Sequence, residues 1–298
     1  MGPCCPLHTL TAALAVAADA GAPYVTVAPG GVCPVVFSSD AGETFPIVVP
    51  SSVTLAGDDG GCATIDFDSP DGGVAVSLLG QSSIEGFTIE PALPDAAYVG
   101  IACDTGTDGS SPLPAYIQDC VLRGGSVATK TFPGISTPSS CSCLLELSGT
   151  SVHGFGTGVQ IYWPAGFQTV VVTHCDISGN SVGLELWAPQ GATPTLLGPS
   201  TWVHDNVGDQ IDVDTGPAGG WTLTGAWIPW SSCSTPLIVS GYKPGYGIRA
   251  GSSNPTVTIG DVQFPDGEPI EGTDYGCSTS CGSQVAIDDP CDGGFDGG

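Results

Sequence analysis

Three short segments carry the side chains best suited to chemistry: Gly158-Val159-Gln160-Ile161-Tyr162, Gly183-Leu184-Glu185-Leu186-Trp187 and Gln210-Ile211-Asp212-Val213-Asp214. Apolar and polar residues alternate in each, the two-residue period of a strand with one buried face. Aligned, they form one outward column of Gln160, Glu185 and Asp212 and a second of Tyr162, Trp187 and Asp214. Ser136 extends the first column at one end, and Arg249, from Gly247-Ile248-Arg249, extends it at the other. On adjacent hydrogen-bonded strands, Glu185 and Asp212 would stand about 5 Å apart. That is the separation at which two carboxylates act as nucleophile and acid in retaining glycoside hydrolysis. The same acids beside exposed rings could bind a sugar, with the rings on its apolar face and the acids on its hydroxyls. Glu185, Asp212 and Asp214 are also hard oxygen donors of the kind calcium takes. If the patch is catalytic, Glu185, Asp212 and Arg249 carry the reaction; if it only binds, Tyr162, Trp187, Gln160 and Asp214 supply the contacts. The plainest account is that a very acidic chain must place carboxylates on outward strand positions, and a fold alone confers no function.

Weaker constellations lie elsewhere. In the same register His153, Ser178 and His204 share a column near a corner, which sets the two histidines about 10 Å apart, too far to share a metal ion. His174 precedes Cys175 and should point outward. Gly179-Asn180-Ser181-Val182-Gly183 fits G-x-S-x-G, but that motif needs a strand, an elbow and a helix, and here it leads into another strand. The acidic, glycine-rich tail Asp288–Gly298 lacks the ligand spacing of an EF-hand loop and reads as flexible. Cys277 and Cys281 before it suit a disulfide staple better than a zinc site.

What must position these groups is a repeat. Val159, Leu184 and Ile211 are 25 and 27 residues apart, and Gly134-Ile135 and Gly100-Ile101 precede them at intervals of 24 and 34. A further strand precedes each motif, at Ile117–Leu122, Val170–Ile177 and Val257–Phe264. Between the two come corner signals, Ser178-Gly179-Asn180 and His204-Asp205-Asn206, whose Asn and Gly tolerate left-handed backbone. A period near 24 residues made of strands and tight corners describes stacked coils, each unable to bury its apolar face alone. Val159, Ile161, Leu184, Leu186, Ile211 and Val213 should then face inward.

Composition narrows the classes. The 298 residues include 45 glycines and 26 prolines, with 41% hydrophobic and only 11% charged residues, which indicates an all-β chain. Four basic residues, Arg123, Lys130, Lys243 and Arg249, stand against 30 acidic ones, for a formal charge of -26. No phosphate-neutralising stripe can be built from them, so nucleic acid is excluded as a partner. No apolar run is long enough to span a membrane. Thirteen cysteines without zinc-type spacing indicate an oxidising compartment with most thiols paired, and their odd number leaves one over. Cys4 and Cys5 lie near the start, but no lipobox precedes them. Leu7–Ala18 is apolar and short, yet no Lys or Arg precedes it as in a leader. Leu7, Leu10, Leu14 and Ala17 instead fall on one helical face, and a short amphipathic capping helix is expected.

The opening of the chain, Tyr24-Val-Thr-Val-Ala-Pro-Gly30, Glu43-Thr-Phe-Pro-Ile-Val-Val-Pro50 and Val53-Thr-Leu-Ala-Gly-Asp58, resembles an uncharacterised bacterial domain-of-unknown-function family. That family is of the pectate-lyase-like right-handed parallel β-helix superfamily. The resemblance is close over about the first 90 residues and implies fold and secretion, not an activity. Pectate-lyase chemistry would use calcium-held substrate with an Arg or Lys as base, and Arg249 is the only basic residue in the column. The paired aspartates, Gly-His-Gly and Arg-Ile-Lys of polygalacturonases are missing from this sequence. The expectation is therefore a right-handed parallel β-helix over 23–276, an N-terminal segment with a capping helix over 1–22, and a Cys/Asp/Gly-rich tail over 277–298. Its expected role is non-catalytic adhesion or binding of an extracellular polysaccharide or cell-surface glycan. No cofactor is required, calcium could assist, and the location is extracellular or at the cell surface. The alternatives are a polysaccharide lyase or glycoside hydrolase and a structural spacer. Ice binding would need a repeated T-x-T array on successive coils, which the sequence does not show.

Overall fold

The computed structural model describes residues 8–27, 33–57, 62–68, 72–93, 98–104, 114–125, 132–137, 144–163, 169–189, 191–192, 194–215, 220–224, 237–240, 248–250, 256–260, 262–263 and 285–287. Its strands are short and pair only in parallel, in sheets of ten, nine and eight strands, and each sheet takes every third described strand up to Thr256–Gly260, which pairs with the final strand Val285–Ile287. The chain therefore winds through the three sheets in turn as a right-handed parallel β-helix, the hand that strand twist favours for parallel crossovers.

Each coil has three strands where the sequence suggested two. Ile117–Leu122 divides into Pro114–Gln118 of the ten-stranded sheet and Val121–Arg123 of the nine-stranded sheet, and Val170–Ile177 divides into Thr169–Thr173 and Asp176–Ser178. The third such segment likewise becomes Thr256–Gly260 and Val262–Gln263. The bend sits on one left-handed residue, Asp119 (φ 50°) or His174 (φ 55°), in the place that Gly86 and Gly149 take in neighbouring coils. So small a corner barely interrupts the alternation, which is why the sequence reads as one strand. Behind it, Cys120, Thr150, Cys175 and Thr201 alternate up the interior. The Thr150 hydroxyl accepts from the Cys120 N–H at 3.3 Å, and that of Thr201 accepts from the Cys175 N–H at 3.4 Å, satisfying buried amides at the bend.

The inward register is the expected one. Val159, Leu184, Ile211 and Ile248 are successive partners in the eight-stranded sheet, as are Ile161, Leu186 and Val213, and all are buried. The corner into this sheet is built on amides. Asn180 and Asn206 are buried one above the other; the Asn206 Oδ1 accepts from the Asn180 backbone N–H at 2.9 Å and from its Nδ2 at 3.0 Å. Their own amino groups donate to Val152 and Ile177 carbonyls. The left-handed backbone nearby is supplied by Gly179 and Asp205, not by the asparagines, whose part is hydrogen bonding. This stack also explains the recurring glycine of the motif. A Cβ on Gly158 would lie 2.8 Å from Asn180 Nδ2, and one on Gly183 would lie 2.7 Å from Asn206 Nδ2 and 2.4 Å from the Gln210 carbonyl. Where the next coil has Gln210 instead, its buried amide caps the stack, accepting from Asn206 Nδ2 at 2.6 Å.

Leu10–Ala20 is the capping helix, started by Thr9, whose hydroxyl accepts from the Ala12 N–H, and stopped by left-handed Gly21. Leu10, Leu14 and Ala17 are its buried face, packed on the first strands Tyr24–Thr26 and Ile47–Val49. The buried carboxylate of Glu43 accepts from the Leu10 and Thr11 N–H groups and the Thr11 hydroxyl, placing an anion at the positive end of the helix. Cys33 and Cys62 form a disulfide, while Cys120 and Cys175 are buried thiols. Leu7, Cys4, Cys5, Cys277, Cys281 and the tail Asp288–Gly298 lie outside the described residues. Within the last segment, only the backbone of Val285–Ile287 is described, paired with Thr256–Gly260. Among the described residues no helix is long and apolar enough to cross a membrane.

Candidate functional site

The outer face of the eight-stranded sheet carries the candidate columns. Alternation in Thr157–Tyr162 and Val182–Ala188 sends Val159, Ile161, Leu184 and Leu186 inward and leaves Gln160, Tyr162, Glu185 and Trp187 half-exposed. Ser136, Gln160, Glu185, Asp212 and Arg249 are successive strand partners, as are Tyr162, Trp187 and Asp214. The side chain of Asp214 lies outside the described residues.

The column is a directed polar chain. The Ser136 hydroxyl donates to Gln160 Oε1 at 3.2 Å, and Gln160 Nε2 donates to Glu185 Oε2 at 2.9 Å. Thr157 donates to the same oxygen at 3.2 Å. Further along, the Arg249 guanidinium holds Asp212 through both terminal oxygens and reaches Asp209 Oδ2 at 2.9 Å. Such a forked, charge-assisted contact fixes Asp212. Beside this chain the Tyr162 and Trp187 rings meet at a centroid distance of 5.8 Å and a tilt of 50°. Burial, and then the charge of Glu185, push the Tyr162 phenol above its ordinary pKa, so it remains a hydrogen-bond donor at neutral pH.

Thr157 and Asp209 are members that the sequence pattern did not single out. Strict alternation with Val159 would turn Thr157 inward, but both Gly158 and Val159 are buried, and the break in period brings Thr157 to the outside. Asp209 precedes the motif, at the corner, and only the fold carries it to Arg249.

The histidine column is also as the register required: His153, Ser178 and His204 are successive partners on the nine-stranded sheet. His153 Nδ1 lies 2.8 Å from Ser178 Oγ, and His204 lies between Asp176 (3.2 Å) and Asp205 (2.8 Å) with Trp202 stacked on its ring. His174 is exposed at its corner. In the G-x-S-x-G segment, Asn180 belongs to the buried amide stack and the chain continues into the strand Val182–Ala188, so no nucleophile elbow forms. Among the described residues, no three His, Cys, Asp or Glu side chains converge on a point where a metal ion could sit.

Comparison with known proteins adds one finding. Residues 4–105 match the family model described as "Protein of unknown function (DUF1565)", which covers the capping helix and the opening coils, about a third of the chain. No curated protein matches the sequence significantly. The chain is a right-handed parallel β-helix protein whose opening third is similar to that family of unknown function.

Proposed function

We propose that the chain is an extracellular or cell-surface, non-catalytic β-helix that binds a polysaccharide or cell-surface glycan on the outer face of its eight-stranded sheet. The observation that carries this reading is the Tyr162–Trp187 pair, two half-exposed rings in contact on adjacent strands, bordered by Gln160 and Glu185. A sugar stacks its apolar face on such rings and offers its hydroxyls to the flanking amide and carboxylate. Rigid strands hold the groups in place without an ordering cost at binding. The Cys33–Cys62 disulfide supports an oxidising location.

The pairing of Arg249 with two carboxylates favours binding over a lyase or hydrolase acting through Glu185, Asp212 and Arg249. To act as a base the guanidinium would first have to lose a proton, and its two paired carboxylates oppose that. Glycan-array binding, run beside assays for new reducing ends and unsaturated products, tests the proposal. Binding lost in Trp187→Ala with no turnover in any arm is the expected result. Turnover abolished by Glu185→Gln or Asp212→Asn would replace it with the enzyme reading, and no binding at all would leave a structural spacer. Binding on this reading needs no cofactor, so a chelator should leave it unchanged; loss on chelation would bring in calcium at Glu185 and Asp212.

A further inference from the structure

Building on the glycan-binding reading, we infer that the ligand is a cationic polysaccharide, an extended polymer of amino sugars such as β-1,4-linked glucosamine, lying along the Gln160, Glu185 and Asp212 column parallel to the helix axis.

Charge selects the polymer class. The column contains one cation, Arg249, and its guanidinium is shared between Asp212 and Asp209. A uronate carboxylate arriving here would have to displace one of those acids, and the chain as a whole, at -26, repels a polyanion. An ammonium group meets the opposite situation at Glu185. Its Oε2 takes both the Gln160 and Thr157 donors, and among the described residues Oε1 accepts no hydrogen bond. The carboxylate is thereby oriented by one oxygen and open at the other, two residues along the strand from Trp187 and on the same face. A sugar stacked on Trp187 can bring a ring substituent to Glu185, and an ammonium there makes a charge-assisted hydrogen bond, about twice as strong as a neutral one.

Spacing selects an extended chain along the axis. Neighbouring strands are about 4.8 Å apart, a rise close to that of successive rings in a β-1,4-linked hexose polymer. Successive rings of such a polymer are turned over, so one sugar in two presents its ammonium to the column, where Glu185 is the acid with an open oxygen. Tyr162 and Trp187 continue the same register as the stacking rank alongside.

The test compares three hexamers by calorimetry on the full chain at mildly acidic pH: glucosamine, its fully N-acetylated form, and galacturonic acid. N-acetylation keeps the backbone shape and removes the charge. The glucosamine hexamer should bind at least tenfold tighter than the N-acetylated one, the excess should vanish in high salt, and the galacturonate hexamer should not bind. Glu185→Gln should abolish the excess, bringing the glucosamine hexamer to the affinity of the N-acetylated one, and Trp187→Ala should weaken both. Non-specific attraction to an acidic protein predicts otherwise, because Glu185→Gln removes only one of the net charges and should then change little; that result would overturn the assignment. Equal binding of the glucosamine and N-acetylated hexamers would overturn the charge inference and leave the glycan-binding reading standing. Binding of no hexamer would overturn the cationic-polymer assignment, and the glycan array then decides the wider reading.

Discussion

Replacing Asn206 with alanine should be among the most damaging single changes available to this chain, although nothing apolar is lost. The buried amide of Asn206 makes four hydrogen bonds: its Oδ1 accepts from the Asn180 N–H and Nδ2, and its Nδ2 donates to the Ile177 carbonyl and to Gln210 Oε1. Alanine leaves the Asn180 N–H and the Ile177 carbonyl, both backbone groups inside the corner, without these partners. Each orphaned buried group costs about 1–3 kcal/mol, so a loss of roughly 4 kcal/mol is expected, with the side-chain amides of Asn180 and Gln210 free to re-pair in part. The comparison is Ser178→Ala, which removes an outward hydrogen bond to His153 and should change stability by no more than about 0.5 kcal/mol. Urea unfolding followed by far-UV circular dichroism reads both, with the midpoint shifted and the slope conserved. An Asn206→Ala loss under about 1 kcal/mol, or one equal to that of Ser178→Ala, would refute the argument that the amide stack holds the corner.

Other outcomes follow from the same register. Leu186→Asp buries a carboxylate among interior side chains and should prevent folding or cost more than about 4 kcal/mol, whereas Glu185→Gln, one residue away and outward, should leave the urea midpoint nearly unchanged. Gly183→Ala would raise intrinsic strand propensity, yet the added Cβ would sit 2.4 Å from the Gln210 carbonyl, so the measured midpoint should fall. Cys120 and Cys175, whose thiols burial pushes up to about 12, should resist alkylation in the native protein and react once it unfolds, as mass spectrometry can count. Because the native thiols stay protonated while those of the unfolded chain ionise near 9, stability should decline as pH rises past that point; an unchanged urea midpoint there would contradict their burial.

The sequence by itself determined the class of fold and its register. Alternation in three aligned segments was enough to place Val159, Leu184 and Ile211 inside and Gln160, Glu185 and Asp212 outside, because a period of two leaves one choice of face. The helical spacing of Leu10, Leu14 and Ala17 marked the cap in the same way. Two things were decided only in three dimensions. The first is the shape of a coil: the left-handed corners at Asp119 and His174 are too short to leave a trace in a pattern of apolar residues, so a third strand was hidden inside what read as one. The second is the state of the candidate site. Residue types named Glu185, Asp212 and Arg249 as possible chemistry, but whether an acid is open or paired depends on neighbours 25 to 40 residues away. Only stacking brought Thr157 and Gln160 to one oxygen of Glu185, and Asp209 with Asp212 to Arg249. Periodicity fixes which way a side chain points; the coils stacked above and below it decide what it meets there.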